Sequence, residues 1–262
     1  MNKPQAKQVL AQHGKSFYWA SLFLGANLAD RAARLYQFCR FVDDLADGDL
    51  PDRLDSLEDI RAGLDDPSHP AVSQIPELNA FVSLANEANI PLRAARELLD
   101  GMLRDQHPTA LTTEIELLRY CHAVAGTVGL MMCRVLDCQN SRADAFAIDL
   151  GVAMQLTNIA RDVLEDAHMQ RRYLPADWLP ANWADSELSP TTIACAANDC
   201  HLPVASAINR LLELAERYYA SALTGINLLP WRSRYAIIVA LCIYRQIGRQ
   251  LQRNGLQWWR GR

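Results

Sequence analysis

Apolar residues recur every three to four positions along most of the chain, while strict alternation of apolar and polar residues is missing. The first period belongs to amphipathic helices and the second to half-buried strands, so an all-α fold of about eight to ten helices and no sheet is expected. The pattern predicts helices over 6–24, 55–63, 78–105 and about 231–254. Two more fall within 190–228, and another carries residues 36–47 and stops near Gly48. Pro and Gly gather at 48–51, 65–76, 107–108, 175–190 and 229–230, which mark the breaks. The segment 176–190, with Asp177, Trp178 and Trp183, reads as a loop or lid. No break resembles a long flexible linker and no fixed repeat is found, so residues 1–262 read as one domain.

Composition narrows the partners rather than the fold. Half the residues are apolar (50%) and 21% are charged, ordinary values for a globular chain able to bury a sizeable core. A formal net charge of −4 gives no reason to expect nucleic acid. An acidic protein that handles an anionic substrate then needs local cations, from metal or clustered Arg. The 7 Cys are odd in number and scattered without a CxxC, so most read as small buried hydrophobes in a reducing cytosol. The first residues lack the apolar run of a signal peptide, and nothing is long enough to span a membrane, so a cytoplasmic location is expected.

The chemistry concentrates in two stripes. On one helix, Tyr36, Arg40, Asp43 and Asp47 fall at i, i+4, i+7 and i+11, within about 60° of one another, with Asp44 beside them. Asp43 and Asp47 form a like-charge pair that costs the helix about 0.2–0.5 kcal/mol, and more if the face is buried. Something positive must meet that face. Alone, the stripe is equally a solvated acidic patch. A second stripe changes the balance: Gln155, Asn158, Asp162 and Asp166 repeat at i, i+3, i+7 and i+11, again amid apolar neighbours. Two such helices facing each other offer oxygen ligands suited to Mg²⁺ or Mn²⁺, which keep waters and share coordination with substrate phosphates. No Cys/His cluster at zinc spacing competes, and no Glu-x-x-His pair suggests a di-iron centre.

Other segments carry two readings each. Lys15 and Ser16 can meet a phosphate and Phe17 a cavity wall, or the three simply start a helix. Arg171, Arg172 and Tyr173 can clamp diphosphate oxygens, or the Arg pair can answer a helix dipole. In the helix with Gly126 and Gly129, the glycines call for close approach by a neighbouring helix or by a bulky apolar ligand. Tyr120, Val124, Thr127 and Met131 share one face there. Arg245, Arg249 and Arg253, with Trp258, Trp259, Arg260 and Arg262 beyond, form either a solvated basic face or a peripheral membrane contact, which would sit on the inner face of the plasma membrane.

Together, HGKSF at 13–17, YxxCRxxDDxxD at 36–47, YCxxVAGTVG at 120–129 and QLTNIxRDxxEDA with RRYLP at 155–175 resemble the squalene/phytoene synthase family. The resemblance runs along most of the chain. It implies an isoprenoid-synthase helical bundle around a central apolar cavity, with prenyl diphosphates as substrates. Mg²⁺ would be held by Asp43 and Asp47, with Asp44 in support, and by Asn158, Asp162 and Asp166. Arg40, Arg161 and Arg171 or Arg172 would neutralise diphosphate, while Tyr36, Tyr120 and Gln155 would line the reaction centre. The implied reaction is a head-to-head condensation through a cyclopropylcarbinyl diphosphate. Its expected outcome is 15-cis-phytoene from two geranylgeranyl diphosphates, as in bacterial phytoene synthases. Ser21, small and one turn after Phe17, leaves room for a C20 chain. Farnesyl diphosphate as a C15 substrate, giving squalene, presqualene diphosphate or dehydrosqualene, is the alternative. A non-catalytic assembly protein of the same fold is another, though such relatives lose the acidic pairs kept here. No GxGxxG fingerprint is present, and NADPH is not expected. Gly14 stands where the family often has Ser, and the chain is shorter than most members. The oligomeric state is not readable.

Overall fold

The computed structural model describes residues 15–48, 52–105, 109–179, 189–195 and 200–261. Nearly all regular structure among them is helical: α1 (Lys15–Ser21), α2 (Ala26–Asp47), α3 (Arg53–Asp65), α4 (Pro70–Gln74), α5 (Pro76–Ala88), α6 (Leu92–Arg104) and α7 (Glu114–Cys121). After a π-turn at His122–Gly126 come α8 (Thr127–Val135), α9 (Asp144–Arg161), α10 (Val163–His168), α11 (Pro190–Ala194), α12 (His201–Gly225) and α13 (Trp231–Arg253). The start of the expected 6–24 helix, and residues 180–188 of the expected lid, lie outside the described residues.

Local chemistry sets the boundaries. Pro opens α4, α5 and α11, where a missing backbone N–H leaves nothing unsatisfied. Thr113 and Glu116 form a capping box at α7. The single helix expected over 78–105 is instead two, α5 and α6. Asn89 turns left-handed at φ 56 and accepts the end of α5, and Pro91 keeps Ile90 out of the helical region. The structure also corrects the expectation of no sheet: β1 (Thr109–Ala110) pairs in parallel with β2 (Arg171–Arg172). Two residues per strand are too few for an alternation to register in sequence, yet this ladder ties the chain after α10 to the end of α6.

α9 is the spine, packed by α12 on one side and by α8 and α13 on others. One apolar cluster joins α9 to α12 through residues such as Leu156, Ile208, Leu211 and Tyr219. A second joins α2, α3, α5, α6 and α8, with Phe38 and Phe81 stacked at a centroid distance of 4.0 Å. Each large side chain so buried contributes about 1.5–3 kcal/mol. The polar group inside the first cluster is satisfied: Thr157 Oγ1 donates to the Ala153 carbonyl at 2.9 Å or shares a proton with Tyr219 OH at 3.0 Å.

The glycine-rich helix meets a neighbouring helix. A Cβ at Gly129 would lie 2.1 Å from the Ala147 carbonyl oxygen, and one at Gly151 would lie 2.2 Å from that of Ala125. The two backbones therefore touch, as only glycine allows. The π-turn adds a residue just before this contact and rotates α8 by about 100° relative to Tyr120. Consequently the face expected from Tyr120, Val124, Thr127 and Met131 is split. Val124, Val128 and Met132 look into a cavity, whereas Thr127 donates to the Ala123 carbonyl at 2.7 Å and Met131 joins the core.

The C-terminal aromatics fold back on α12. Trp258 is buried with its Nε1 donating to the His201 carbonyl at 3.3 Å, and Trp259 stacks on the His201 ring at 3.8 Å. Arg245 is paired with Glu216.

Because the π-turn lies against α9 with no room for a methyl group at Gly151, Gly151→Ala is expected to destabilise the protein by about 1–3 kcal/mol through overpacking. Chemical denaturation measures this, and an unchanged midpoint would mean that the two are not in contact there.

Candidate active site

An apolar cavity of about 300 Å³ runs beside α9. From Asn158 back to Ala143 the lining follows that helix for about 22 Å at 1.5 Å per residue. The far end is walled by small residues, Ala20 and Ser21 from α1 and Ala143 from the turn before α9, together with Phe146. Tyr36, Gln155, Asn158 and Tyr244 stand at the other end. These four are where hydrocarbon surface gives way to polar groups. Asn158 Nδ2 donates to Gln155 Oε1 at 3.4 Å, and its buried Oδ1 has no hydrogen-bond partner. A buried acceptor left without a donor costs about 1–3 kcal/mol, which favours a bound ligand there.

Beyond that end the carboxylates collect at helix termini of the wrong polarity. Asp43, Asp44 and Asp47 occupy the last turn and a half of α2, Asp105 follows α6, and Asp162 follows α9. A helix C-terminus already carries negative partial charge, so the acids ending α2 and α6 are each disfavoured by about 0.3–1 kcal/mol, whereas Asp162 also caps the N-terminus of α10, where the dipole has the opposite sign. Arginines answer part of the charge. Arg40 pairs with Asp43 at 3.0 Å and Asp44 at 2.5 Å. Arg161 grips its neighbour Asp162 with two bonds of 2.7 and 2.6 Å. Arg171 reaches Asp47 at 2.9 Å, across 124 residues of sequence.

Arg171 shows that the two stripes face each other. Burial, then Asp47, pushes the Asp43 carboxyl up to about 6, with Arg40 and Arg171 opposing. Burial, then Asp162, pushes Asp166 up to about 8, and Arg171 again opposes. One guanidinium therefore sits in the field of both motifs. The second stripe is not a continuous helix: Asp162, at φ −105, interrupts it between α9 and α10. The backbone bonds from Asp162 N to Asn158 O and from Asp166 N to Asp162 O carry the helical spacing across, so the order of the stripe survives.

A residue that the motifs did not single out organises the flank. Asp105 Oδ2 accepts from Tyr173 OH at 2.6 Å and Tyr120 OH at 2.9 Å, and Oδ1 accepts from Thr109 at 3.2 Å. The two tyrosine rings stack at 4.4 Å. Burial raises both phenol pKa values, and the nearby Asp105 charge adds to it. Tyr120 thus points at Asp105 rather than lining the cavity. Arg172, its side chain buried, donates to the Leu174 carbonyl at 2.7 Å, on the opposite side of β2 from Arg171. In Asp105-Gln-His-Pro nothing marks the aspartate. Tyr244, at the cavity's polar end, was also not singled out, although it continues the apolar spacing of Ile237, Ala240 and Leu241. The side chains of Lys15, Ser16 and Phe17, and all of His13 and Gly14, lie outside the described residues.

The donor set is oxygen, drawn from two helices, and suits a hard divalent cation. Among the described residues no three carboxylate, imidazole or thiol groups converge closely enough to hold a metal by themselves. Such an ion would need further oxygens from a ligand, which is how Mg²⁺ shares coordination with phosphates.

A family model described as squalene/phytoene synthase matches residues 10–262. A 15-cis-phytoene synthase of Enterobacter agglomerans is 38% identical, over 95% of this chain and 85% of its own length. A phytoene synthase of Pseudescherichia vulneris is 36% identical, over 97% and 84%. Among solved structures, a dehydrosqualene synthase in complex with ligand superposes with a TM-score of 0.83 at 26% identity, over 98% of this chain and 87% of that one. A squalene synthase from Alicyclobacillus acidocaldarius has the same fold, with a TM-score of 0.80 at 22% identity over 97% and 94%.

The raised carboxyl pKa values make stability depend on pH. The folded protein holds protons on Asp43 and Asp166 that the unfolded chain has released. Their stabilising effect is complete below about pH 4 and is lost as pH rises through about 6 and then about 8. Asp43 keeps 47% of its side-chain surface in solvent, so its share is screened and Asp166 dominates. Without added divalent ions, stability should fall by about 1–3 kcal/mol between pH 5 and 9, and Asp166→Asn should flatten the curve and raise the melting temperature at high pH. Thermal scans across that range check this, and a flat wild-type profile would contradict it.

Proposed function

Given that the chain belongs to the squalene/phytoene synthase family, and acts as a prenyltransferase, we propose that it condenses two geranylgeranyl diphosphates head to head into 15-cis-phytoene. The observation that carries this reading is the junction of the two parts of the site: carboxylate-bearing helix ends meet, at Tyr36, Gln155 and Asn158, an apolar cavity with small residues at its far end. Ser21 and Ala143 at that far end support a C20 rather than a C15 chain. The whole of 1–262 works as one catalytic unit in this reading.

Members of this family require a divalent metal to bind prenyl diphosphates. Asp43, Asp44 and Asp47 on one side, and Asn158, Asp162 and Asp166 on the other, would hold it here, and the partnerless Asn158 Oδ1 supports that assignment. When bound, Mg²⁺ withdraws charge from the diphosphate and so lowers the barrier to its departure. Arg40, Arg161 and Arg171, paired with those carboxylates here, would supply guanidinium donors for the diphosphate oxygens. The cavity wall keeps water from the allylic cation, while Tyr36 and Gln155 orient the reacting end. The Tyr120–Asp105–Tyr173 cluster fixes the loop that presents Arg171.

Purified protein with Mg²⁺ and geranylgeranyl diphosphate should yield phytoene without NADPH. Squalene or dehydrosqualene from farnesyl diphosphate, with no C40 product, would overturn the substrate choice. Asp43→Asn and Asp162→Asn should each lower turnover about a hundredfold or more while circular dichroism shows the helical bundle still folded.

Cavity length offers a separate check. A Cβ at Gly225 would lie 2.2 Å from the Phe146 ring, so Gly225→Ala must drive that ring into the cavity. The ratio of C20 to C15 turnover should fall about tenfold, and an unchanged ratio would show that the chain does not reach Phe146.

A further inference from the structure

Five large apolar side chains stand in solvent on two adjoining elements. Trp19, Leu22 and Phe23, on α1 and the turn after it, are 60%, 58% and 50% exposed, and Trp231 and Tyr235 at the start of α13 are 64% and 57% exposed. α1 packs against α13. A Cβ at Gly25 would come 2.8 Å from Arg232 Nη1, so the turn bearing Leu22 and Phe23 abuts the first turn of α13. The inward sides of the same elements, Ala20, Ser21, Leu24 and Ala236, line the far end of the cavity. The patch therefore caps the end of the cavity opposite the carboxylates.

A clustered apolar surface of this kind marks a contact site, and its chemistry identifies the contact. Trp and Tyr prefer the boundary between water and hydrocarbon. The Arg232 guanidinium lies 5.0 Å over the Trp231 ring, which sets a cation beside the aromatics where an anionic headgroup would meet it. No helix among the described residues is long and apolar enough to cross a membrane, so the contact would be peripheral. We propose that this face docks on an anionic lipid bilayer and lays the far end of the cavity against the acyl region. The choice of a bilayer rests in part on the proposed reaction, whose hydrocarbon product has no other phase to enter. The C-terminal Trp258 and Trp259 take no part, being engaged with α12.

Co-sedimentation with unilamellar vesicles of phosphatidylcholine and phosphatidylglycerol tests the contact without reference to turnover. The wild-type protein should partition to the vesicles, and Trp19→Ser/Phe23→Ser/Trp231→Ser should lose at least about tenfold in partitioning, with Trp259→Ser as a control that binds like wild type. The single variant Trp231→Ser, with circular dichroism unchanged, covers the case in which the triple variant fails to fold and should still show a measurable loss. Wild-type protein that stays in the supernatant, or variants that bind as well as wild type, would overturn the proposal. So would sedimentation velocity showing a wild-type dimer that Trp231→Ser dissociates, since the patch would then be covered by a second copy. Phytoene formation from detergent-dispersed substrate should persist in the variants, so loss of docking and failure of the proposed reaction are separable.

Discussion

Crowded negative charge at the C-terminal ends of helices is the constraint from which the rest of this molecule follows. Asp43, Asp44 and Asp47 close α2 and Asp105 follows α6, where the backbone already presents unpaired carbonyls, and Asp162 stands at the junction of α9 and α10. A fold selected for stability alone would set lysines or arginines at those ends. Arg104 and Arg161 do close α6 and α9, but the last turn of α2 has no basic residue of its own, and Arg171 spans the gap from β2 to Asp47. Even so, Asp43 and Asp166 remain poorly served, and their carboxyls hold protons well above the usual range. The arrangement is one that a divalent cation and a diphosphate would complete, each supplying what the other set of side chains lacks.

The apolar half of the site depends on how closely α8 and α9 approach. With the backbones touching at Gly129 and Gly151, the side chains between them, Val128, Met132 and Leu150, form a continuous wall. The π-turn then separates two jobs within one helical stretch. Tyr120 before it is turned to the polar cluster on Asp105, while Val124 and the residues after it face hydrocarbon. A regular helix could not have pointed both where they are needed.

How much of this was legible follows from the reach of each signal. Helical spacing is local, and so are polar residues repeating at i, i+3 or i+4, i+7 and i+11 with acids at the last two positions, so the bundle and both carboxylate stripes could be read from the chain. The family's motifs extended that reading to the reaction. What escaped was non-local or too short to leave a period. The two-residue ladder has no alternation to detect, and the π-turn differs from a regular helix by one residue. The importance of Asp105 lies wholly in tyrosines and a threonine brought to it by other elements. The Arg171–Arg172 pair was legible as a pair, but only β2 shows that its members point to opposite sides. The tail aromatics had the composition of an interfacial segment. Their packing against His201, and the exposed aromatics on α1 and α13, became visible only in three dimensions.

Crystals grown with a prenyl thiodiphosphate and Mn²⁺ in place of Mg²⁺ would locate the metal directly by anomalous scattering. Manganese peaks bridging the diphosphate to Asp43 and Asp47 on one side and to Asn158, Asp162 and Asp166 on the other, with the hydrocarbon laid along α9, are the predicted result. Metal bound away from these groups, or a prenyl chain lying outside the cavity, would contradict the account.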